Sequence, residues 1–476
     1  MKKPFKLSII LLFCYVANGQ PITGNWEGAL SIQGTEVPII FHIKRDSADK
    51  LAATFDSPKQ QAYNLQCSDV IVTGDSVILM MKMINGKYAG LLSSDKKILT
   101  GNWSQGGASF PLSMKKTSDV ASAKEFKRPQ TPRPPFNYNV KEVSYFNADK
   151  SIQFGGTLTY PLQKLVKKYP IVLLITGSGM QDRDETLFEH KPFAVIADYL
   201  TKQGLAVLRV DDRSKGATTG NFENATSADF AKDAEAGIEY LKTLPNVDAT
   251  NIGLIGHSEG GMIAPMVASQ RNDVKFIVLL AGPGVPIIDL MEKQSVEVMT
   301  AGGIPKEQSD QYRPLYKNLM TAVMNEQDTA IALKKATEVF ADWQNKTSKE
   351  VVQKITKVTD EKSKADFIAD FINGMKSPWF SYFIKFDPAV YLSKTNCAVL
   401  ALNGEKDIQV DAKQNLAGIK SALPKTTNAT VKEMPGLNHL FQHCKSCSVE
   451  EYGELEETFA PEVLTIMSEW IKNVTK

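Results

Sequence analysis

The sequence predicts an α/β protein, in which a mostly parallel sheet is flanked by helices and preceded by a small antiparallel β domain. Two observations predict this fold class. From about Asn137 onward, short apolar segments rich in β-branched residues alternate with helical segments, a pattern that builds a parallel sheet covered by helices. Before Lys116, short runs of alternating apolar and polar residues are separated by turn residues, as is typical of antiparallel strands. A chain of 476 residues is long enough for two or three such structural units.

The N-terminus has the composition of a secretory signal peptide. Three lysines within Met1–Lys6 precede the apolar stretch Leu7–Ala17, which is too short for a permanent membrane helix. Ala17-Asn18-Gly19 fits a small-x-small cleavage site, so residues 1–19 are expected to be removed. We therefore expect a secreted or periplasmic protein, with no stable insertion into a membrane.

Charge and cysteine content exclude several classes of partner. Removal of the three N-terminal lysines changes the formal net charge from +2 to −1, because 55 basic residues become 52 against 53 acidic ones. No basic stripe is present, so a nucleic-acid partner is not expected. Cys444 and Cys447 could form a disulfide or remain two thiols, but their surroundings do not supply the second pair of ligands that zinc needs. The sequence indicates neither a metal nor a cofactor, and it does not specify an oligomeric state.

The first folded domain is expected over residues 20–116. Gly24-Asn25-Trp26 near its start is echoed by Gly101-Asn102-Trp103 near its end, which we interpret as the matching first and last strands of a barrel or sandwich. A structural or packing role is expected for this domain. The boundaries that follow are a Pro-rich, semi-rigid linker over 117–136, an α/β core over 137–286 and 395–476, and a helical cap over 287–394 that interrupts the core.

One strand-to-helix turn carries the strongest chemical signal in the chain. The apolar run Ile252–Ile255 predicts a buried strand, Met262–Ala268 is compatible with a helix, and Gly256-His257-Ser258-Glu259-Gly260 lies between them. This segment fits the G-x-S-x-G nucleophile elbow, in which the serine occupies a strained turn and the glycines leave room for the neighbouring strand and helix. Ser258 is therefore expected to be a nucleophile. The alternative is an ordinary serine in a glycine-rich turn.

A serine nucleophile needs a base, and the base needs an acid that orients it. The chain has five histidines, of which only His439 and His443 follow Ser258. His439 comes after the strand-like segment Thr430–Met434, where a loop would present an imidazole, so we expect it to be the base. His443, beside Cys444, is interpreted as a surface residue.

The orienting acid is expected to be Asp407. The apolar segment Cys397–Leu402 predicts a strand, and Asp407 follows the turn after it, with room for one helix and one strand before the histidine. Glu405 and Asp411 are the alternatives. Asp411 stands at the start of the next predicted helix, where its charge suits the helix dipole.

Two backbone N–H groups are expected to bind a developing oxyanion. One belongs to Glu259, directly after the nucleophile, and the other to the loop after the predicted strand Pro170–Ile175. In this loop Ser178 is the expected donor, with Gly179 as the alternative. A phosphate-binding glycine loop is less consistent with the sequence, because no Gly-Lys-Ser/Thr follows and the acidic run 181–185 would repel phosphate.

The segment between Val285 and Lys394 is helical and charge-rich, as expected for a cap. Near its end, Trp379 and Phe380 are candidates for the wall of an apolar substrate pocket. Aromatic residues at this spacing are also common in the core of a cap, and that alternative stays open.

From about Asn137 to its end, the chain resembles secreted bacterial α/β-hydrolases of the serine esterase and serine aminopeptidase-like group. The matching stretches are Gly177-Ser178-Gly179 with Gln181-Asp182-Arg183-Asp184, Val210-Asp211-Asp212-Arg213, Gly256-His257-Ser258-Glu259-Gly260-Gly261, Asn403-Gly404-Glu405-Lys406-Asp407 and Gly436-Leu437-Asn438-His439. The resemblance implies an α/β-hydrolase fold with its cap between the sixth and seventh core strands. Thr176 departs from the group's pattern, since many of these enzymes have histidine there.

These residues predict a secreted serine hydrolase that cleaves a small-molecule carboxylic ester through an acyl-enzyme intermediate. One scaffold supports several chemistries, so a serine peptidase with the same three residues is an alternative. A non-catalytic binding protein on a hydrolase fold is a third possibility.

Overall fold

The computed structural model describes residues 22–32, 35–46, 49–58, 62–81, 86–105, 108–117, 127–162 and 168–476. The predicted signal peptide and residues 118–126 of the predicted linker lie outside these ranges. The chain divides into two compact units, Met1–Glu125 and Phe126–Lys476. The predicted fold class is confirmed, because the first unit is an antiparallel β structure and the second has a mostly parallel sheet with helices.

The first unit contains nine strands in one antiparallel sheet. They are β1 (Gly24–Ile32), β2 (Thr35–Arg45), β3 (Leu51–Ser57), β4 (Ala62–Gln66), β5 (Asp69–Thr73), β6 (Ser76–Met81), β7 (Gly86–Leu92), β8 (Ile98–Gln105) and β9 (Ala108–Thr117). Their order in the sheet is β4-β3-β2-β1-β9-β8-β7-β6-β5.

The two edge strands of this sheet, β4 and β5, are consecutive in the chain. Only Cys67 and Ser68 lie between them: the Cys67 amide donates to Ala53 O on β3 at 2.9 Å, and the Ser68 amide donates to Met80 O on β6 at 2.7 Å. One bent segment therefore pairs with both sides of the sheet and closes it as a barrel, which leaves no long unpaired edge.

Aromatic side chains fill the interior of the barrel. Phe41 lies within 5.6–6.3 Å of the ring centroids of Phe55, Tyr88 and Trp103, and all four are buried. Trp26 on β1 is fully buried in the same cluster. The predicted equivalence of first and last strands is wrong in one respect: Trp103 lies on β8, whereas the last strand is β9, which pairs with β1. The repeated motif marks two buried tryptophans, one on the first strand and one on the strand before the last.

The second unit contains an eight-stranded sheet. Its strands are β10 (Tyr138–Phe146), β11 (Gln153–Pro161), β12 (Tyr169–Ile175), β13 (Ala206–Val210), β14 (Val247–His257), β15 (Phe276–Leu280), β16 (Ala398–Gly404) and β17 (Ala429–Met434). They are ordered β10-β11-β13-β12-β14-β15-β16-β17, with parallel pairing from β13 to β17 and antiparallel pairing of β10 and β11.

Helices cover both faces of this sheet. The helices described in the second unit, including those of the cap, are α1 (Pro192–Lys202), α2 (Ser227–Lys242), α3 (Glu259–Ala268), α4 (Ile287–Ala301), α5 (Lys306–Ser309), α6 (Tyr312–Val323), α7 (Thr329–Lys346), α8 (Lys349–Thr356), α9 (Glu361–Met375), α10 (Pro378–Phe383), α11 (Ala389–Leu392), α12 (Ala412–Ala422) and α13 (Pro461–Val474). Helices α4–α11 form the cap between β15 and β16, the sixth and seventh strands of the sheet, as predicted. None of the described helices is both long and apolar enough to cross a membrane.

The alternation of side chains along β12 shows how the core is built. Ile171, Leu173 and Ile175 pack into the cluster that contains α2, α3 and α12, whereas Val172 and Leu174 pack on the other face with α1 and α13. Because both faces are covered, the strand is apolar throughout. The carboxyl ends of the parallel strands meet at one edge of the sheet, which is where polar loops can assemble a site.

The segment 127–136, predicted as part of the linker, packs on the second unit. Arg128 is buried and donates hydrogen bonds to the backbone carbonyls of Phe188, Gly453 and Leu455. Gln130 donates to Phe459 O and accepts from the amide of the same residue. These contacts tie the segment to the chain's C-terminal region.

A truncated protein that begins at Phe126 is expected to be more stable than one that begins at Phe136. The shorter protein loses Arg128 and Gln130, and the carbonyl groups that they bind lose their partners. We expect its thermal unfolding midpoint to be on the order of 5 °C lower. Calorimetry on the two purified proteins measures the difference, and equal midpoints would show that this segment does not stabilise the second unit.

Candidate active site

Ser258 occupies a strained turn between β14 and α3. Its backbone has φ 51° and ψ −116°, in the left-handed region that residues with a side chain rarely adopt. A methyl group at Gly256 would lie 1.9 Å from Gly260 O, and one at Gly260 would lie 2.1 Å from Ile175 O. Both positions therefore require glycine, and the turn has the geometry expected of a nucleophile elbow.

Asp407 and His439 form a buried pair near this turn. His439 Nδ1 lies 2.8 Å from Asp407 Oδ2, and both side chains are almost fully buried. Asp407 also accepts hydrogen bonds from the Asn403 amide group and from the backbone N–H groups of Gln409 and Val410. Four donors thus fix the carboxylate, and its bond to Nδ1 leaves Nε2 of His439 as the nitrogen that can accept a proton.

The structure places the alternative acids elsewhere. Glu405 accepts the amide of Gly436 at 3.0 Å and lies near the surface. Asp411 accepts the Gln414 amide at the start of α12 and pairs with Lys293 at 2.7 Å. Each of them has a structural role apart from His439.

The alternative base is also separate from the pair. The side chain of His443 is 56% exposed, and its ring nitrogens face the carboxylates of Glu457 and Glu462 at 2.9 and 3.1 Å. His443 is thus a surface residue, in agreement with its interpretation from the sequence.

The loop after β12 lies directly against the nucleophile. A methyl group at Gly177 would be 3.3 Å from Ser258 Cβ. The predicted donor Ser178 follows in this exposed loop, and Glu259 begins α3, so both predicted amides belong to segments that flank the serine.

Asp212 holds the two ends of this loop. It accepts the Thr176 hydroxyl and the Gln181 amide, each at 2.7 Å. Burial raises the pKa of Asp212 to about 7, against the lowering effect of these two donors. Thr176, the residue that departs from the resembled group, therefore serves as an anchor for the loop.

The side chain of Glu259 connects the turn to the cap. It is buried, and its Oε1 accepts the Ser227 hydroxyl at 2.6 Å and the indole N–H of Trp379 at 2.9 Å. Burial raises the pKa of Glu259, although the hydroxyl of Ser178 and the other two donors oppose the rise. Trp379 on α10 is thus placed beside the residue that follows the nucleophile.

The second aromatic candidate, Phe380, packs differently. It is half-buried against the hydrophobic core of the second unit, and its ring centroid is 6.1 Å from that of Trp379. Of the two predicted pocket residues, Trp379 is the one with a contact to the turn.

Cavity volume does not identify the site. A cavity behind the loop, lined by Gly177, Asp212 and Glu259, has a volume of about 60 Å³, which is too small for a substrate. A cavity of about 860 Å³ lies at the opposite ends of the strands, lined by Thr250 and Thr430 among others. The candidate site is instead defined by the strained serine and the buried Asp407–His439 pair.

Cys444 and Cys447 form a disulfide in the loop that follows His439, which settles the choice left open by the sequence. The carboxylate of Glu451 accepts the amides of Lys445 and Cys447 within the same loop. Cys67 and Cys397 are free thiols.

Several polar residues at the site were not identified from the sequence as functional. Asp212 directly follows β13 in an acidic run, Glu185 ends the acidic run 181–185 in the loop after β12, and His257 precedes the nucleophile. Arg183 binds Asp211 through two nitrogens, at 3.1 and 2.6 Å, and thereby joins the two runs. Their location could have indicated a role at the site, because both acidic runs follow the carboxyl ends of strands and overlap the stretches that carry the family resemblance.

Comparisons with known proteins support a hydrolase. A family model described as the C-terminal part of BAAT / acyl-CoA thioester hydrolase matches residues 234–442, a segment that includes Ser258, Asp407 and His439 but less than half of the chain. The chain is similar to Esterase EstD of Thermotoga maritima, with 31% identity over 147 residues that cover 31% of this chain and 34% of the relative.

A peptidase is also among the relatives. The chain is 27% identical over 176 residues to the uncharacterized peptidase YuxL of Bacillus subtilis, covering 36% of this chain and 25% of that protein. An esterase structure from Pyrococcus furiosus aligns with a TM-score of 0.43 and 15% identity, covering 74% of this chain and 98% of that one. The chain matches about a third of the length of Esterase EstD and a quarter of the length of YuxL.

Proposed function

We propose that this protein is a serine hydrolase that cleaves carboxylic esters. The observation that carries the proposal is the combination of Ser258 on a strained, glycine-flanked turn with the buried Asp407–His439 pair at the same edge of the sheet. The surrounding turn holds Ser258 in a strained backbone conformation, and such strain is concentrated at functional sites. The esterase relative supports the same chemistry.

In the proposed reaction, Nε2 of His439 takes the proton of the Ser258 hydroxyl as the oxygen attacks the ester carbonyl. Asp407 holds the imidazole in the required tautomer and stabilises the imidazolium that forms. The backbone N–H groups of Ser178 and Glu259 bind the oxyanion of the tetrahedral intermediate. His439 then returns the proton to the leaving alcohol, and water hydrolyses the acyl-enzyme by the same steps in reverse order.

The substrate is proposed to be a small-molecule ester. Trp379 would contact its acyl or alcohol group, because this side chain reaches from the cap to the residue beside the nucleophile. Secretion or export to the periplasm, based on residues 1–19, belongs to the same proposal.

Peptide hydrolysis is the second candidate, favoured by the peptidase relative. A peptidase of the aminopeptidase type needs acidic groups for the substrate's ammonium group. Asp212 and Glu259 are buried carboxyl groups close to the nucleophile, but their described partners are hydroxyl, amide and indole donors of the protein itself. Cleavage of an ester does not require an acidic group of this kind, because the substrate has no ammonium group to be bound.

Turnover of p-nitrophenyl acetate and butyrate, measured beside aminoacyl p-nitroanilides, tests the proposal. We expect kcat/KM for the esters to exceed that for the anilides by at least about 100-fold, a difference of roughly 2.7 kcal/mol in transition-state stabilisation. Preference for the anilides would favour the peptidase, and turnover of neither class by folded protein would favour a binding protein.

A further inference from the structure

His257, the residue before the nucleophile, connects the segments of the site but has no part in the proposed reaction. It is buried, and its ring centroid lies 4.9 Å from that of His439. Its Nε2 is 3.1 Å from the backbone oxygen of His439, and its Nδ1 is 3.1 Å from Oε1 of Glu185. The same Glu185 oxygen accepts the backbone N–H of Gly177 at 2.6 Å.

The partners of His257 determine where its protons are. A backbone carbonyl can only accept, so Nε2 must carry a hydrogen toward His439 O. Oε1 of Glu185 already accepts the backbone N–H of Gly177, and an N–H on Nδ1 makes His257 a second donor to the same oxygen. With a hydrogen on each nitrogen, the ring is an imidazolium.

The charges around His257 favour this protonation. Burial alone lowers the pKa of His257, but the carboxylate of Glu185, its hydrogen bond, the carbonyl of His439 and the charge of Asp407 together raise it above its ordinary value. Glu185 from the loop after β12 and His439 from the loop after β17 contact the ring, and Asp407 from the loop after β16 acts on it through its charge.

The backbone of Glu185 is also held in an uncommon conformation. Its φ is 52°, in the left-handed region, and its side chain is buried. A glutamate with this conformation and burial is held by the surrounding structure, and such strain is typical of functional positions. Here it aims the carboxylate at both His257 and Gly177.

We infer that His257 is an imidazolium that acts as a positioning residue, because its two N–H groups link the backbone of the base His439 to Glu185 and thereby to the loop that carries the Ser178 amide. The effect of His257 on catalysis rests on the proposed function, whereas its charge does not. Ser258, His439 and the Ser178 loop come from three different segments of the chain, and the His257–Glu185 pair sets the distances among them. Displacements of about 1 Å in such an arrangement cost about 100-fold in rate.

Nuclear magnetic resonance of the full chain labelled with ¹⁵N-histidine tests the protonation state without any substrate. Among the five histidines, we expect one ring that retains hydrogen on both nitrogens at pH 8, where a free histidine is neutral. His257→Gln should remove this signal, and Glu185→Gln should convert it to a singly protonated ring. If His257→Gln does not fold, His42→Gln, His190→Gln, His439→Gln and His443→Gln assign the signal by elimination. A singly protonated His257 in the unmodified protein would overturn the inference.

Kinetics on a p-nitrophenyl ester test the positioning role. We expect His257→Gln and Glu185→Gln to lower kcat by about 10–100-fold with KM within about twofold, since the geometry of reacting groups changes and not the substrate's binding surface. His443→Gln, a change at the exposed histidine in the loop that carries His439, is the matched control and should retain full activity. Unchanged kcat in folded His257→Gln would refute the role. Absence of ester turnover in the unmodified protein would refute the proposed function instead, while the resonance experiment would still decide the charge of His257.

Discussion

Ser258→Ala is expected to abolish ester turnover, with a loss in kcat of about 10⁴–10⁶-fold, because it removes the hydroxyl that is proposed to form the acyl-enzyme. The variant should fold as the unmodified protein does. Alanine keeps the Cβ that already occupies the left-handed conformation at φ 51°, so the substitution neither adds nor removes backbone strain.

The measurement is the rate of p-nitrophenol release by purified, monodisperse protein, with its thermal unfolding midpoint recorded beside it. Ser269→Ala provides a matched control, because Ser269 directly follows the same helix and its hydroxyl donates to the carbonyl of Met266, away from the turn. Activity of Ser258→Ala close to that of Ser269→Ala would exclude Ser258 as the nucleophile.

Asp407→Asn is expected to lower kcat by about 10³–10⁴-fold, while the fold remains intact. Oδ2 of Asp407 accepts from His439 Nδ1 at 2.8 Å and from Asn403 at 3.1 Å. An asparagine amide in this position can donate a hydrogen to Nδ1, which would place the imidazole proton on Nε2, where it blocks attack by the serine.

Glu405→Gln is the matched control for this substitution, since Glu405 follows the same strand and its carboxylate accepts from the Gly436 amide and from Lys406. We expect it to retain activity within about twofold, as is usual for a change at the surface. If Glu405→Gln proved more damaging than Asp407→Asn, the wrong carboxylate would have been assigned to His439.

The fold class could be predicted because local patterns encode it, and the same patterns single out the residues proposed for the site. The apolar strand before Gly256 and the helix-compatible segment after Gly261 define the turn by themselves, and the order of Ser258, Asp407 and His439 along the chain needs only strand assignments. The closeness of Asp407 to His439 also follows from topology, because β16 and β17 are parallel neighbours whose carboxyl ends lie side by side.

The network around His257 could not be predicted in this way. Glu185 reaches His257 from the loop after β12, across 72 residues of sequence, and only the relative orientation of two loops brings them together. From its composition, the acidic run 181–185 indicated only a negative charge that would repel phosphate. The hydrogen-bond partner of each carboxylate depends on tertiary packing, which composition does not reveal.

The barrel of the first unit illustrates a similar limit. Alternating residues predicted its antiparallel strands, but its closure depends on Cys67 and Ser68, whose amides bond to β3 and β6. These two residues carry no signal that distinguishes a bend within a closed barrel from a turn between separate strands.

The central claim, that Ser258 forms a covalent intermediate, is tested most directly by labelling with a serine-reactive fluorophosphonate and locating the adduct by peptide mass spectrometry. We predict one adduct per chain, on the peptide that contains Ser258, with complete loss of ester turnover; Ser258→Ala should not be labelled. An adduct on any other residue that accompanies the loss of activity, or full ester turnover in protein labelled at Ser258, would contradict the claim.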